Sequence, residues 1–358
     1  MIFYIDETVR TRIANDGITE KQAMFFSELA FSYQHGHCIL CGNLDSINQL
    51  SSTLEGYPGS IYRLVAAKYT EHRGLMEVVS SVFVLSFASA LDKTTLPSFL
   101  HQKCRFLPIE EAMNCKIYFP CSLLGENLTD CDFYKLIGKY YCAKHSIQGI
   151  TIDPHVEHGG GNPISKVLHK CVQQELVPTL CIVDSDRKYG KTKRCKDEPR
   201  LGSTYCGVRD IQRKLERANC YTPYCVYPLH VHEAENLIPL SVIEGLSKSQ
   251  SNMKTGLDFL HCLKGIYAGS PLLYYDLKNG VNISQNPQRN AYWNEIAEVL
   301  GESLPFPNLH CNDILEDSVN YISMDIDSIV IDDYLIPFWD ELGNHIVTWC
   351  CGFLPRLA

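Results

Sequence analysis

Nowhere does the sequence reach the roughly 18–20 consecutive apolar residues that a membrane helix needs. The best stretch, Val78 to Leu91, is uncharged but short and carries four serines, so it reads as a buried helix or strand. The amino terminus meets acidic residues at Asp6 and Glu7, which leaves no room for the apolar core of a signal peptide. A soluble, cytoplasmic protein with no membrane contact is expected. A G-x-x-x-x-G-K-[ST] phosphate loop is missing as well. Gly190-Lys191-Thr192 ends like one, but Ser185 stands where its first glycine belongs, so the chain is not expected to hold a P-loop ATPase. Low-complexity sequence is absent: 45% hydrophobic and 20% charged residues exclude a disordered or collagen-like chain. At 358 residues the chain is too long for one small core, and several domains are expected.

Cysteine, by contrast, is plentiful. Seventeen cysteines without an export signal or regular spacing read as reduced, buried thiols behaving as small hydrophobes. Two groupings resemble half of a zinc site: His35, His37, Cys38 and Cys41, and Cys220, Cys225, His230 and His232 with Cys195 and Cys206 upstream. Each shows only half of the paired spacing a structural zinc site uses, so zinc is not expected.

Charge is unevenly distributed. The net charge is −9, yet Arg187 to Arg217 holds eleven Lys/Arg against four Asp/Glu. Residues 290–355 hold twelve acids and no Lys or Arg. A net acidic chain does not coat nucleic acid in general, so any contact with a polyanion falls to the basic stretch.

Three regions are expected. Residues 1–115 read as mixed α/β, with a strand at Met1–Ile5, helical spacing over Lys21–Tyr33 and a turn at Gly56–Gly59. The apolar run Met76–Phe87 fits strand or helix equally. Residues 116–240 alternate: strand 116–124, helix 133–144, strand 148–153, a glycine run at Gly159, Gly160 and Gly161, helix 164–176, strand 177–183, and a further strand 224–229. That alternation predicts a parallel, doubly wound sheet, whose strands carry sites at their carboxyl ends. Residues 241–358 read as mainly helical and acidic.

The chemistry gathers at those strand ends. Glu126 precedes Asp130 by four residues, Asp184 and Asp186 follow an apolar strand, and Glu233 and Glu235 follow another. If the strand continues, Asp184 and Asp186 project from one face. Converging carboxylates repel one another, and a hard divalent cation relieves the repulsion; Mg²⁺, or Mn²⁺, suits oxygen-only ligation. The plain alternative for each carboxylate is a helix cap or a solvated strand end.

In this order the motifs resemble the topoisomerase–primase (TOPRIM) domain. They are most similar to nuclease domains of the OLD family and to related stand-alone antiviral TOPRIM proteins. Glu126 takes the place of the family's first glutamate, with Asn127 where many members have glycine. Asp130 matches the second acid, Gly159 to Asn162 the glycine run, Asp184 and Asp186 the Asp-x-Asp, and Glu233 and Glu235 the later acidic element. The resemblance covers residues 116–240 and implies a TOPRIM-like catalytic domain cutting nucleic-acid phosphodiester bonds, DNA or RNA. Mg²⁺ or Mn²⁺ would be held by Glu126 and Asp184 with Asp186 and Asp130, and a second ion near Asp186, Glu233 and Glu235. Arg187, Lys188, Lys191, Lys193 and Arg194 would meet phosphates. It further implies a defence effector controlled by an ATPase or other regulatory protein in trans, or by self-assembly. The charge of the acidic region from Glu295 to Glu341 suits three roles: an electrostatic lid over the basic stretch, a dock for a basic partner, or a solvated helical face.

Rivals remain. Glu157 also precedes glycines, but leaves only one helix before Asp184 where the family topology needs an intervening strand. Asp325 and Asp327 have no glycine turn and read as surface. A haloacid-dehalogenase-type phosphatase also starts from Asp-x-Asp, but needs no Glu126 and continues differently from Arg187-Lys188. A non-enzymatic assembly module would use the acidic tail and the cysteines for contacts.

Overall fold

Two parallel sheets, each of four strands, organise the chain. The computed structural model describes residues 1–160, 163–192, 194–195, 201–218 and 220–354. The first sheet holds β1 (Ile2–Ile5), β2 (Ile39–Gly42), β3 (Val82–Ser86) and β4 (Cys104–Pro108), in the order β2-β1-β3-β4. β1, β2 and β3 are buried along their whole length, as parallel strands covered on both faces must be. Helices α1 (Glu7–Asp16), α2 (Glu20–Gln34), α3 (Leu44–Thr53), α4 (Tyr57–Ala67), α5 (Tyr69–Val78) and α6 (Ile109–Ala112) accompany this sheet. Local sequence starts them. Asp6 accepts from the N–H of Thr8 at α1, and Thr19 with Gln22 closes a reciprocal cap on α2. The Gly56–Gly59 turn is instead the start of α4, with Gly56 as cap and Pro58 in the first turn, a position where proline's missing N–H costs nothing. The ambiguous run Met76–Phe87 divides between the end of α5 and β3.

The second sheet runs β7-β5-β8-β9 and is parallel throughout. It contains β5 (Ser122–Gly125), β7 (His155–His158), β8 (Thr179–Val183) and β9 (Tyr224–Pro228), with α7 (Leu128–Lys144), α8 (Ile164–His169) and α9 (Ser203–Arg217) in the connections. α8 continues as a wider π-turn through Glu175. A parallel α/β arrangement is therefore present where the alternation predicts one. Its second strand needs correction. β6 (Ile150–Ile152), inside the expected strand 148–153, leaves the sheet and pairs antiparallel with β10 (Cys351–Phe353). The strand beside β5 is β7, which runs straight into the glycines. The expected strand 116–124 is also shorter, confined to β5, with turns over residues 113–118.

The acidic last third forms α10 (Leu240–Ser247), α11 (Lys254–Lys264), α12 (Pro287–Leu300), α13 (Ile314–Met324) and α14 (Ile336–Cys350). α14 packs along α7, and Trp293, Trp339 and Trp349 are fully buried. One hydrophobic core links buried side chains from Met1 to Phe353; a second, smaller one lies between β5, β8, α8 and α9. Among the described residues no helix is long and apolar enough to cross a membrane. Asp325 and Asp327 are exposed. Eleven of the cysteines are buried.

Candidate functional site

The order of the second sheet brings three acidic segments to one edge. β5 and β8 are neighbours, as are β8 and β9, so Glu126 and Asp184 leave adjacent strands side by side. The N–H of Asp184 donates to Glu126 Oε1 at 3.4 Å. Beyond β9 the chain follows the exit of β8. The Leu229 N–H donates to Val183 O at 2.9 Å, Ser185 Oγ donates to Val231 O, and the Asp186 N–H donates to His232 O at 3.0 Å. This lacing carries Glu233 and Glu235 to the same place.

The glycine run serves the first of these segments by close approach. A Cβ on Gly159 would lie 2.5 Å from Gly125 O, and the N–H groups of Gly159 and Gly160 donate to Gly125 O and Glu126 O at 2.9 and 3.0 Å. Only a residue without a side chain lets the backbone clasp the end of β5 this tightly. Gly161 and Asn162 lie outside the described residues.

The alternation that would put Asp184 and Asp186 on one face does not reach them. β8 stops at Val183, and Asp186 takes a φ of +52°, a left-handed conformation that Asp tolerates better than most residues. Gly202 presses on the Asp186 carboxylate, where a Cβ would be 1.6 Å from Oδ2. Asp186 and Glu233 gather with His232, their ligand atoms all within 4.8 Å of one another. The charges of Glu126, Asp130 and Glu235 bear on Asp184, and those of Asp186, Asp130 and Glu235 on Glu126.

The electrostatics are those of a site short of positive charge. Asp184 Oδ1 is shut off from solvent and has no hydrogen-bond partner. Burial, followed by the charges of Glu126, Asp130, Glu235 and Glu233, holds its carboxyl well above the usual range. Burial likewise raises Glu126 to about 7, against the Asp184 N–H that favours its charged form, with Asp186, Asp130 and Glu235 adding to the rise. Asp130 is raised to about 6, mainly by burial, although Asn127 N–H donates to its Oδ2 at 2.8 Å. Asp130 thus also caps α7. Burial and Glu235 raise Glu233 to about 7.

The sequence gives no hint of Lys278. Its ammonium sits 2.6 Å from Glu235 and 3.7 Å from Glu233; burial pulls its pKa down, but Glu235 and Glu233 outweigh that and hold it above the ordinary value. His232, noted only for zinc-like spacing, is the second omission. It is 1% exposed, neither ring nitrogen has a hydrogen-bond partner, and burial pushes its pKa down to about 4. The remaining members of the two cysteine–histidine groupings do not assemble into a three-ligand cluster among the described residues. A cleft of about 190 Å³ opens beside Asp130 and Glu235 and is also lined by Asp313 and Glu316 from the acidic tail.

Glu157 stands apart from this centre. It lies opposite Leu124 in the sheet, approaches His155 at 3.2 Å, and gathers with Cys171 and Glu175. The basic stretch begins beside the acids and then turns onto α12. Lys188 is exposed, and its carbonyl accepts from Trp293 Nε1 at 2.8 Å. Arg194 donates from its backbone to Glu295 Oε2 at 3.1 Å and pairs through its guanidinium with Glu298 at 2.6 Å. Arg187 is partly buried, with Nε lacking a hydrogen-bond partner, and Lys191 is exposed. Lys193 lies outside the described residues.

The donor set fits a divalent cation. It is rich in carboxylate oxygen, contains a buried oxygen without a partner, and holds several acids above their ordinary pKa through burial and the charges of neighbouring acids. Comparison of the chain with protein-family models, with curated proteins and with solved structures returned no match in any of the three.

Proposed function

We propose that the chain is a divalent-cation-dependent nuclease of the TOPRIM type, hydrolysing phosphodiester bonds of DNA or RNA. The observation that carries this reading is the convergence of Glu126, Asp130, Asp184, Asp186, Glu233 and Glu235 on the carboxyl edge of a parallel sheet, with Asp184 Oδ1 buried and unpartnered. A bound Mg²⁺ or Mn²⁺ supplies charge neutralisation, polarises a phosphate and lowers the pKa of water. Glu126 and Asp184 would hold such an ion from adjacent strands, with Asp130 oriented by its cap on α7 and Asp186 presented by its left-handed turn. Lys278, tethered to Glu235, would stabilise negative charge on a phosphate bound at the acidic edge of the sheet. Lys188 and Lys191 lie exposed in the segment after Asp186 and would contact flanking phosphates.

A phosphatase of the Asp-x-Asp kind is less well supported, because Arg187 and Lys188 follow the pair and such an enzyme needs nothing resembling Glu126. The assembly-module alternative draws on the basic stretch, since Arg194 is already occupied by Glu298 and Glu295. The biological setting we propose is an antiviral effector restrained by a regulatory partner, an ATPase or a second copy of the chain. The test is incubation of the purified full-length protein with double-stranded DNA, single-stranded DNA and RNA, with Mg²⁺, Mn²⁺ or EDTA. Cleavage that needs the ion and disappears in Asp184→Asn is expected. Full cleavage by Asp184→Asn sinks the assignment.

A further inference from the structure

Within the acidic centre, one group has a different chemistry from the rest. Asp186, His232 and Glu233 bring two carboxylates and an imidazole within 4.8 Å of one another. His232 Nε2 lies 3.6 Å from Glu233 Oε1. That is too long for a hydrogen bond, but near the roughly 3.0–3.4 Å between neighbouring donors held about 2.1 Å from one octahedral or tetrahedral ion. Both ring nitrogens are buried without a partner in a residue only 1% exposed. A buried polar atom normally has a partner, so a ring lacking one on either side calls for an explanation.

The backbone positions this ring with care. The His232 N–H donates to Leu273 O at 2.8 Å, and its carbonyl accepts from Asp186 N–H, which ties the backbone of two of the three residues together. Glu233 is fixed by Asn236, whose Oδ1 accepts the Glu233 N–H at 3.0 Å and whose amide donates to Leu272 O and Tyr275 O, each at 2.7 Å. Glu233 keeps a quarter of its side chain exposed, which leaves an ion a way in.

We propose that Asp186, His232 and Glu233 form a nitrogen-containing site for a first-row transition ion such as Mn²⁺, taken in preference to Mg²⁺, beside the all-oxygen group at Glu126 and Asp184. Mg²⁺ demands oxygen ligands in near-ideal octahedral geometry, whereas first-row ions bind a mixed nitrogen–oxygen site, Mn²⁺ the most weakly of the divalent series. This inference rests on the nuclease reading only for what the ion would do; the site itself stands on the geometry.

The experiment reads the ligand directly. Mn²⁺ is titrated into the metal-free full-length protein, and electron spin-echo envelope modulation is recorded. Coupling to one imidazole nitrogen is expected, changing from ¹⁴N to ¹⁵N frequencies when the protein carries ¹⁵N-histidine, a control that needs no substitution. His232→Gln should lose the coupling and weaken Mn²⁺ binding at that site about tenfold or more, while Asp184→Asn keeps the coupling. Absence of nitrogen coupling in the parent protein, or its persistence in His232→Gln, overturns the proposal. Mg²⁺-dependent cleavage by a protein without nitrogen coupling would remove the histidine site and leave the nuclease reading standing. Nitrogen coupling in a protein that cuts nothing would do the reverse.

Discussion

Asp184 is a side chain whose burial opposes folding, and in the proposed site it would hold a cation. Its carboxylate is held among Glu126, Asp130 and Glu235 with one oxygen buried and unpartnered, so without a cation its charge destabilises the fold. Asp184→Asn and Glu126→Gln should therefore melt, in EDTA, at or above the temperature of the parent. A cation at a hundred times its dissociation constant adds about 2.7 kcal/mol to a protein that binds it only when folded. Both variants should lose most of that gain, as read by melting with and without Mn²⁺. A parent protein whose melting ignores Mg²⁺ and Mn²⁺ altogether would argue against the metal centre. The identities of these acids were legible from their places at strand ends. Lys278 was not, because it comes from a turn more than forty residues after β9 and only folding brings it to Glu235.

At the scale of elements, α12 is the contact between the acidic third of the chain and the basic stretch. Glu298 pairs with Arg194 on an exposed surface, where ion pairs add little stability. Glu298→Gln should leave the melting temperature essentially unchanged, yet free Arg194 for phosphate. Binding to duplex DNA should tighten, and the slope of log affinity against log salt should steepen by about one; an unchanged slope would show that this pair does not compete with nucleic acid. A second junction joins α5, α2 and β10 through His72. It is buried, contacts Tyr33 Oη at 3.3 Å and meets the Phe353 ring edge-on. Burial pushes its pKa down to about 4. The folded state thus holds His72 neutral, and its contribution is complete above the unfolded value near 6.5 and is lost as pH falls from there toward 4. Between pH 7 and 4.5 the parent should lose more melting temperature than His72→Gln does. Parallel curves would place the acid sensitivity elsewhere.

For the whole molecule, the two ends of the chain meet. The Met1 amino group donates to Cys351 O at 2.8 Å, β10 pairs with β6, and Phe353 stacks on Tyr33 with centroids 4.5 Å apart. Side chains from 1–115, 116–240 and 241–358 all enter one core. Phe353→Ala should cost about 3–5 kcal/mol, measured by denaturant unfolding followed through both tryptophan fluorescence and circular dichroism. The two signals should move together. If fluorescence shifted while the circular dichroism midpoint held, the last helices would be folding independently of the sheets. The same continuity means that cutting the chain near residue 290 removes buried Trp293, Trp339 and Trp349, so charge variants on α12 are the sounder test of a lid.

What the sequence determined by itself is local. Apolar strands ending in acids and capped helices follow from side chains interacting with their own neighbours, and those interactions do not depend on the rest of the fold. The tertiary structure decided which strand lies beside β5, because β6 and β7 are both short and β-compatible, and only pairing with the distant β10 draws β6 away. It decided that the strand stops before Asp184 and Asp186, where a left-handed turn at Asp186 is held by His232 O and closely met by Gly202 from elsewhere in the chain. It also decided that a histidine and a lysine join the acids. Hydrogen bonds and packing across such separations leave no periodic trace in a sequence.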